Sequence, residues 1–160
     1  MNIVFVSQIV PYPPHGGVLQ RGFNLLRELG QKHDVTLLAY VHPDTLHKPN
    51  ELELSKRVLG GLCRRVEYFP LWPKRSSLHK LAAFAGAFPY PKPFSVLAHK
   101  SAAMRRRLHM LVNTDRPDLV HLDTIALAPY REAAGEIPCV LTHHNIESAL
   151  MARRAKFEET

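Results

Sequence analysis

The chain has 160 residues, 46% of them hydrophobic and 22% charged, which fits a single soluble globular domain with a real core. Its net charge of +7 and isoelectric point near 9.7 point to an anionic partner: nucleic acid, an anionic membrane surface or a phosphorylated ligand. No apolar stretch approaches the ~20 residues of a membrane span, and the short apolar start "IVFV" has no basic flank to make it a signal peptide.

The elements follow in chain order. "NIVFVS" (2–7) is a continuous apolar run, as expected of a parallel strand covered on both faces. Val18, Gly22, Leu25, Leu26 and Leu29 form one helical stripe over 18–30, with Gly30 placed to end the helix. "DVTLLAY" (34–40) is a second strand, a polar helix follows over 45–60, and "RRVEYF" (64–69) is a third strand. Residues 76–88 and 94–113 read as helices separated by the proline-rich "PYPKP" (89–93). "PDLVHL" (117–122) is a fourth strand, a helix is expected over 125–134, and "PCVLT" (138–142) is a fifth strand. A last helix is expected over 146–159, with Asn145 as its N-cap. Cys63 and Cys139 are far apart and have no metal spacing, which suits a reduced, intracellular protein.

Alternating strands and helices imply an α/β fold: a Rossmann-like, three-layer, doubly wound parallel sheet of order 3-2-1-4-5. The order reverses between strands 1 and 4, and ligands bind beyond the carboxyl ends of the strands at such a reversal. Three loops meet or neighbour one another there: "PPHGG" (13–17), "HLDT" (121–124) and "THHN" (142–145). In the first, prolines stop the strand, while Gly16 and Gly17 leave bare backbone ahead of a helix N-terminus. Such a place accepts a phosphate or a sugar hydroxyl. A plain strand-to-helix turn is the alternative, because the loop lacks the G-x-G-x-x-G dinucleotide fingerprint.

His121, Asp123, His143 and His144 fall at strand ends, where a histidine can move a proton, bind a hydroxyl or simply cap the strand. His121, Asp123 and His144 are ligand types that suit zinc, but their spacing matches no metal motif. A basic cluster spans 72–107 around the apolar helical positions Leu78, Leu81, Ala85 and Phe88. Its candidate membrane-facing cations are Lys74, Arg75, Lys80, Arg105, Arg106 and Arg107. The alternative is a solvated helix packed on the sheet. No nucleic-acid module pattern is present, so no nucleic-acid partner is expected.

"PYPPHGGVLQRGFNLLRELGQKHDVTLLA", "PDLVHLDTIALAPY" and "PCVLTHHNIES" together resemble the N-terminal domain of family-4 glycosyltransferases of the GT-B fold. The resemblance spans nearly the whole chain and is least diagnostic over 44–113, where "PFSVLAHKSAAMRRRLHML" is similar to a subgroup associated with bacterial exopolysaccharide synthesis. It implies a retaining transferase that moves a sugar from a nucleotide-sugar donor to a glycan or lipid-linked acceptor, without a metal or other cofactor. It further implies that Gly16 and Gly17 face the donor phosphates, and that His144, or else the adjacent His143, touches the transferred sugar. His15, His121, Asp123, His143 and Asn145 are then expected to line the cleft or contact the acceptor. A cytoplasmic enzyme is implied, with peripheral contact to the inner face of the cell membrane.

One departure from the family pattern is large. The C-terminal domain of such enzymes carries two glutamates eight positions apart, and no pair in this chain has that separation. Residues 1–160 are therefore expected to be the acceptor-binding half, inactive alone, with the nucleotide-sugar domain absent. The competing readings are a stand-alone phosphate- or sugar-binding module and another nucleotide-dependent enzyme. Against the latter, no acidic residue ends strand 2, where "LLAYVH" (37–42) runs on.

Overall fold

A computed structural model describes residues 1–42, 49–71, 96 and 98–143. Five parallel strands form one sheet of order β3-β2-β1-β4-β5, as the alternation of elements predicts. They are β1 (Asn2–Ser7), β2 (Asp34–Val41), β3 (Arg65–Pro70), β4 (Leu119–Leu122) and β5 (Cys139–Leu141). The helices are α1 (Gly17–Gly30), α2 (Pro49–Gly60) and α3 (Ala102–Thr114), followed by a segment wound as a 3-10 helix (Ile125–Ala134).

The inner strands β1, β2 and β4 are apolar at most positions because both of their faces are covered, whereas β3 is half-buried and β5 is largely exposed. Phe5, Val35, Leu37, Ala39 and Val41 point to one face, against Leu26 of α1 and Leu59 of α2. Val4, Val6, Leu38, Tyr40, Val120 and Leu122 point to the other. There Met104, Leu108 and Leu111 of α3, at i, i+4 and i+7, and Leu127 and Tyr130 of the 3-10 segment meet them. Burying such a side chain stabilises the fold by about 1.5–3 kcal/mol, so these two layers dominate its energetics.

Several expectations change in detail. Val18, the first member of the α1 stripe, is exposed, and Phe23 packs against the core instead. Gly30 does stand at the end of α1, but an added Cβ there would overlap the Leu62 carbonyl oxygen. Close approach of α1 to the end of α2, not a left-handed turn, is what demands the glycine.

The helix expected over 94–113 is not continuous through its described part. The chain turns at His99, is extended at Ser101 (φ −126°, ψ 119°), and starts α3 at Ala102. The reason is chemical. The Ser101 hydroxyl accepts the Met104 N–H at 3.3 Å as an N-cap. The His99 carbonyl accepts the phenol hydroxyls of Tyr40 at 2.5 Å and Tyr130 at 2.6 Å. The two hydroxyl oxygens also touch, one phenol proton being shared between that contact and the carbonyl, and burial pushes both phenols above their ordinary range.

The helix expected over 125–134 is present as 3-10 winding, with Pro129 inside it removing one N–H from the ladder. The expected helices over 76–88 and 146–159, residues 45–48 of the helix expected over 45–60, and the Asn145 cap lie outside the described residues.

Candidate functional site

The order reversal between β1 and β4 opens a site at the carboxyl ends of β1, β4 and β5. The loop after β1 is fixed first. The Ser7 hydroxyl donates to the Ile9 carbonyl at 2.8 Å, and the Val10 N–H donates to the Tyr40 carbonyl at 2.9 Å. The His15 N–H then donates to the Pro13 carbonyl at 2.8 Å and turns the chain into α1. His15, Gly16 and Gly17 are all exposed.

Gly16 is the N-cap of α1 with φ +92°, a conformation that favours glycine. The first helical bond is donated by Gln20 to the Gly16 carbonyl, so the helix gives the N–H groups of Gly17, Val18 and Leu19 no partner. Among the described residues no side chain caps this end and no acidic residue lies in the first turn, so none of them offsets the positive end of the helix dipole. An added Cβ at Gly17 would meet nothing within 4 Å. Packing within the described chain therefore gives no reason for that glycine, whereas a ligand lying on the backbone would.

Below the loop the floor is polar and buried. Asp123 is 1% exposed, and its Oδ2 accepts from the Ser7 hydroxyl at 3.3 Å. α1 passes directly over it: an added Cβ at Gly22 would lie 3.2 Å from the Pro11 Cβ and 3.7 Å from Asp123 Oδ2. His121 is also buried. Its ring meets Phe5 edge-on at 4.4 Å between centroids, and its Nε2 is 2.7 Å from the Thr142 hydroxyl. Those contacts make His121 part of the floor under the loops rather than an exposed proton donor.

The turn after β5 completes the site. The Thr142 N–H donates to the Leu122 carbonyl at 2.9 Å, and the exposed His143 follows. Arg21, one turn along α1 from Gly17, donates from Nη1 to the His143 carbonyl at 3.4 Å. The structure thus links the first and third expected loops, with Asp123 and His121 beneath them. His144, Asn145, Lys74, Arg75 and Lys80 lie outside the described residues, and with His144 so does the zinc arrangement considered from sequence.

The remaining basic candidates sit away from this site on α3. Arg107 makes a two-pronged ion pair with Glu67 of β3, at 2.5 and 2.7 Å, which raises its pKa. Arg105 pairs with Glu132 at 2.6 Å, and Arg106 is exposed. Two of the three arginines are therefore engaged with carboxylates. No helix among the described residues is long and apolar enough to cross a membrane.

Ser7, Arg21 and Thr142 were not singled out from sequence, and Gly22 was read only as part of the α1 stripe, not as a site residue. Arg21 carried a usable signal, its four-residue spacing from Gly17 on one helical face; Ser7 and Thr142 reveal their roles only through three-dimensional contacts. No family model, curated protein or solved structure matches this chain.

Proposed function

We propose that this chain is the acceptor-side Rossmann-like half of a retaining glycosyltransferase that uses a nucleotide-sugar donor and a glycan or lipid-linked acceptor. The observation that carries the reading is Gly17. It stands at an uncapped helix N-terminus, its missing side chain would touch nothing in the described chain, and Arg21 ties its helix to the histidine-bearing turn after β5. A phosphate on those N–H groups would be met by bare backbone and by the positive end of the dipole. The sequence resemblance supplies the reaction class, and the doubly wound fold is the one such a half requires. His144 is the residue proposed to touch the transferred sugar, and no metal or cofactor is invoked. Peripheral contact with an anionic membrane belongs to the proposal; on α3 it rests on Arg106 more than on its paired neighbours.

The test uses the protein that contains residues 1–160, a panel of nucleotide sugars, and glycan and lipid-linked acceptors. The expected result is transfer with retained anomeric configuration, lost by at least about a hundredfold in His144→Ala, as for removal of a group that acts in the transition state. Residues 1–160 alone are expected to transfer nothing. Full activity of His144→Ala with loss in His143→Ala moves the role to His143. Binding of nucleotide sugars without any transfer by the whole protein favours the stand-alone binding module.

A further inference from the structure

We infer that Thr142 and Arg21 are positioning residues: they hold, from two sides, the turn by which the chain leaves β5. Among the described residues, β5 is three residues long, forms one edge of the sheet and has β4 as its single neighbour. Val140 and Leu141 are exposed, and so is His143. A short edge strand with little apolar burial opens locally at low cost, so its carboxyl end needs other restraints to stay in place.

Three restraints are present. The Thr142 main chain continues the ladder through the Leu122 carbonyl at 2.9 Å. The Thr142 hydroxyl lies 2.7 Å from Nε2 of His121, whose ring is fixed by burial and by Phe5. Arg21 holds the His143 carbonyl from α1, at 3.4 Å and from an exposed side chain, which makes it the weaker tie. Together they set where the backbone stands at His143, one residue before His144. Neither side chain needs to touch a substrate. The catalytic meaning of that placement rests on the transferase reading, but the placement itself does not.

The experiment reads the turn by NMR on this chain, in Thr142→Val, Thr142→Ser and Arg21→Gln. Thr142→Val keeps the shape and removes the hydroxyl; Thr142→Ser restores it. The readouts are the protection of the amide at residue 142 against hydrogen exchange and the position and width of the His143 ring Cε1–H signal. One hydrogen bond is worth about a tenfold change in opening, so Thr142→Val should lower protection at residue 142 about tenfold and shift the His143 signal. Thr142→Ser should return both to within about twofold of the parent, and Arg21→Gln should lower protection by about two- to threefold. Equal protection in the valine and serine variants overturns the role of Thr142. An unmoved His143 signal in Arg21→Gln, an exposed substitution that leaves the core intact, overturns the role of Arg21. Transfer assays do not enter these readouts, so failure of the glycosyltransferase reading leaves them standing, and the reverse also holds.

Discussion

The two ends of the sheet treat polar residues in opposite ways. At the amino ends of the strands, polar groups stay near water and pair off. Arg65 meets Asp115 at 3.2 Å, the Asn2 N–H donates to Asp118 at 2.7 Å, and Asp34 is exposed. At the carboxyl ends of β1 and β4 the polar residues go inside. Ser7, His121, Asp123 and Thr124 make up four of the six buried polar or charged residues among those described. Exposed pairs cost and contribute little, whereas each buried polar group must recover a desolvation penalty of about 1–3 kcal/mol. A chain that sets such groups side by side under an uncapped helix N-terminus has concentrated its polar cost where a ligand can use it. The amino end is read as the stability end of the fold and the carboxyl end as the working end.

That division makes Gly30 the sharpest test at the amino end. An added Cβ would overlap the Leu62 carbonyl, and main-chain oxygen cannot swing aside as a side-chain tip can. Gly30→Ala is expected to destabilise the domain by roughly 3 kcal/mol, the upper part of the range for overpacking with backbone shifts. Urea unfolding measures it through the transition midpoint at constant slope. A change below about 1 kcal/mol would mean that α1 and α2 move apart freely, and the amino end would lose its role as the rigid one.

Cys63, buried between α2 and β3, gives the next largest effect, and it depends on pH. Burial pushes its thiol up to about 11, against an ordinary value near 8.5–9. Between those values the unfolded chain releases the proton while the folded chain keeps it. The unfolded state then binds fewer protons, so stability falls as pH rises through the window. The stabilisation is present in full below pH ~8.5 and is lost by pH ~11, amounting to about 3 kcal/mol at 1.36 kcal/mol per pH unit. The buried phenols of Tyr40 and Tyr130 add a fall of the same sign above pH ~10, so the comparison is with Cys63→Ala, which removes only the thiol contribution. Denaturant unfolding from pH 8 to 11 should give a shallower decline in the alanine variant. Parallel declines would show that the thiol reaches water in the folded state.

What the sequence disclosed, and what it withheld, follows the same division. The inner strands were legible because "NIVFVS" and "DVTLLAY" carry apolar residues on both faces, as doubly covered parallel strands do, and their alternation with helices gave the order. The loops of the site were legible because that order fixes where they must meet. The break ahead of α3 was not legible. It depends on Tyr40 and Tyr130, 59 and 31 residues away from His99, capturing its carbonyl. No local pattern in "AHKSAAM" reports a distant phenol. The inward turn of His121 was hidden for a similar reason, since its partners Phe5 and Thr142 come from two other strands' neighbourhoods. The engagement of Arg105 and Arg107 was hidden too: a run of three arginines reads as a free basic face until Glu132 and Glu67 are placed beside it.

The smallest expected effect on stability, at Gly17, tests the working end most directly. The position has ordinary helical backbone and open space where a side chain would begin, unlike Gly16 with its φ of +92° or Gly30 against Leu62. Valine is a better helix residue than glycine by a few tenths of a kcal/mol, so Gly17→Val should change the unfolding free energy by less than about 0.5 kcal/mol. Its branched side chain would stand over the N–H groups of the first turn of α1, where a phosphate would otherwise lie. In the protein that contains this chain, use of a nucleotide-sugar donor should therefore collapse while the melting of residues 1–160 is unchanged. Gly17→Ala should fall between the parent and the valine variant in donor use, because the obstruction scales with the side chain. A valine variant that unfolds would show that the glycine serves the turn, and the carboxyl end would then differ from the amino end only in burial. A valine variant with full donor use would place the phosphates elsewhere, and the uncapped first turn of α1 would have no part in binding.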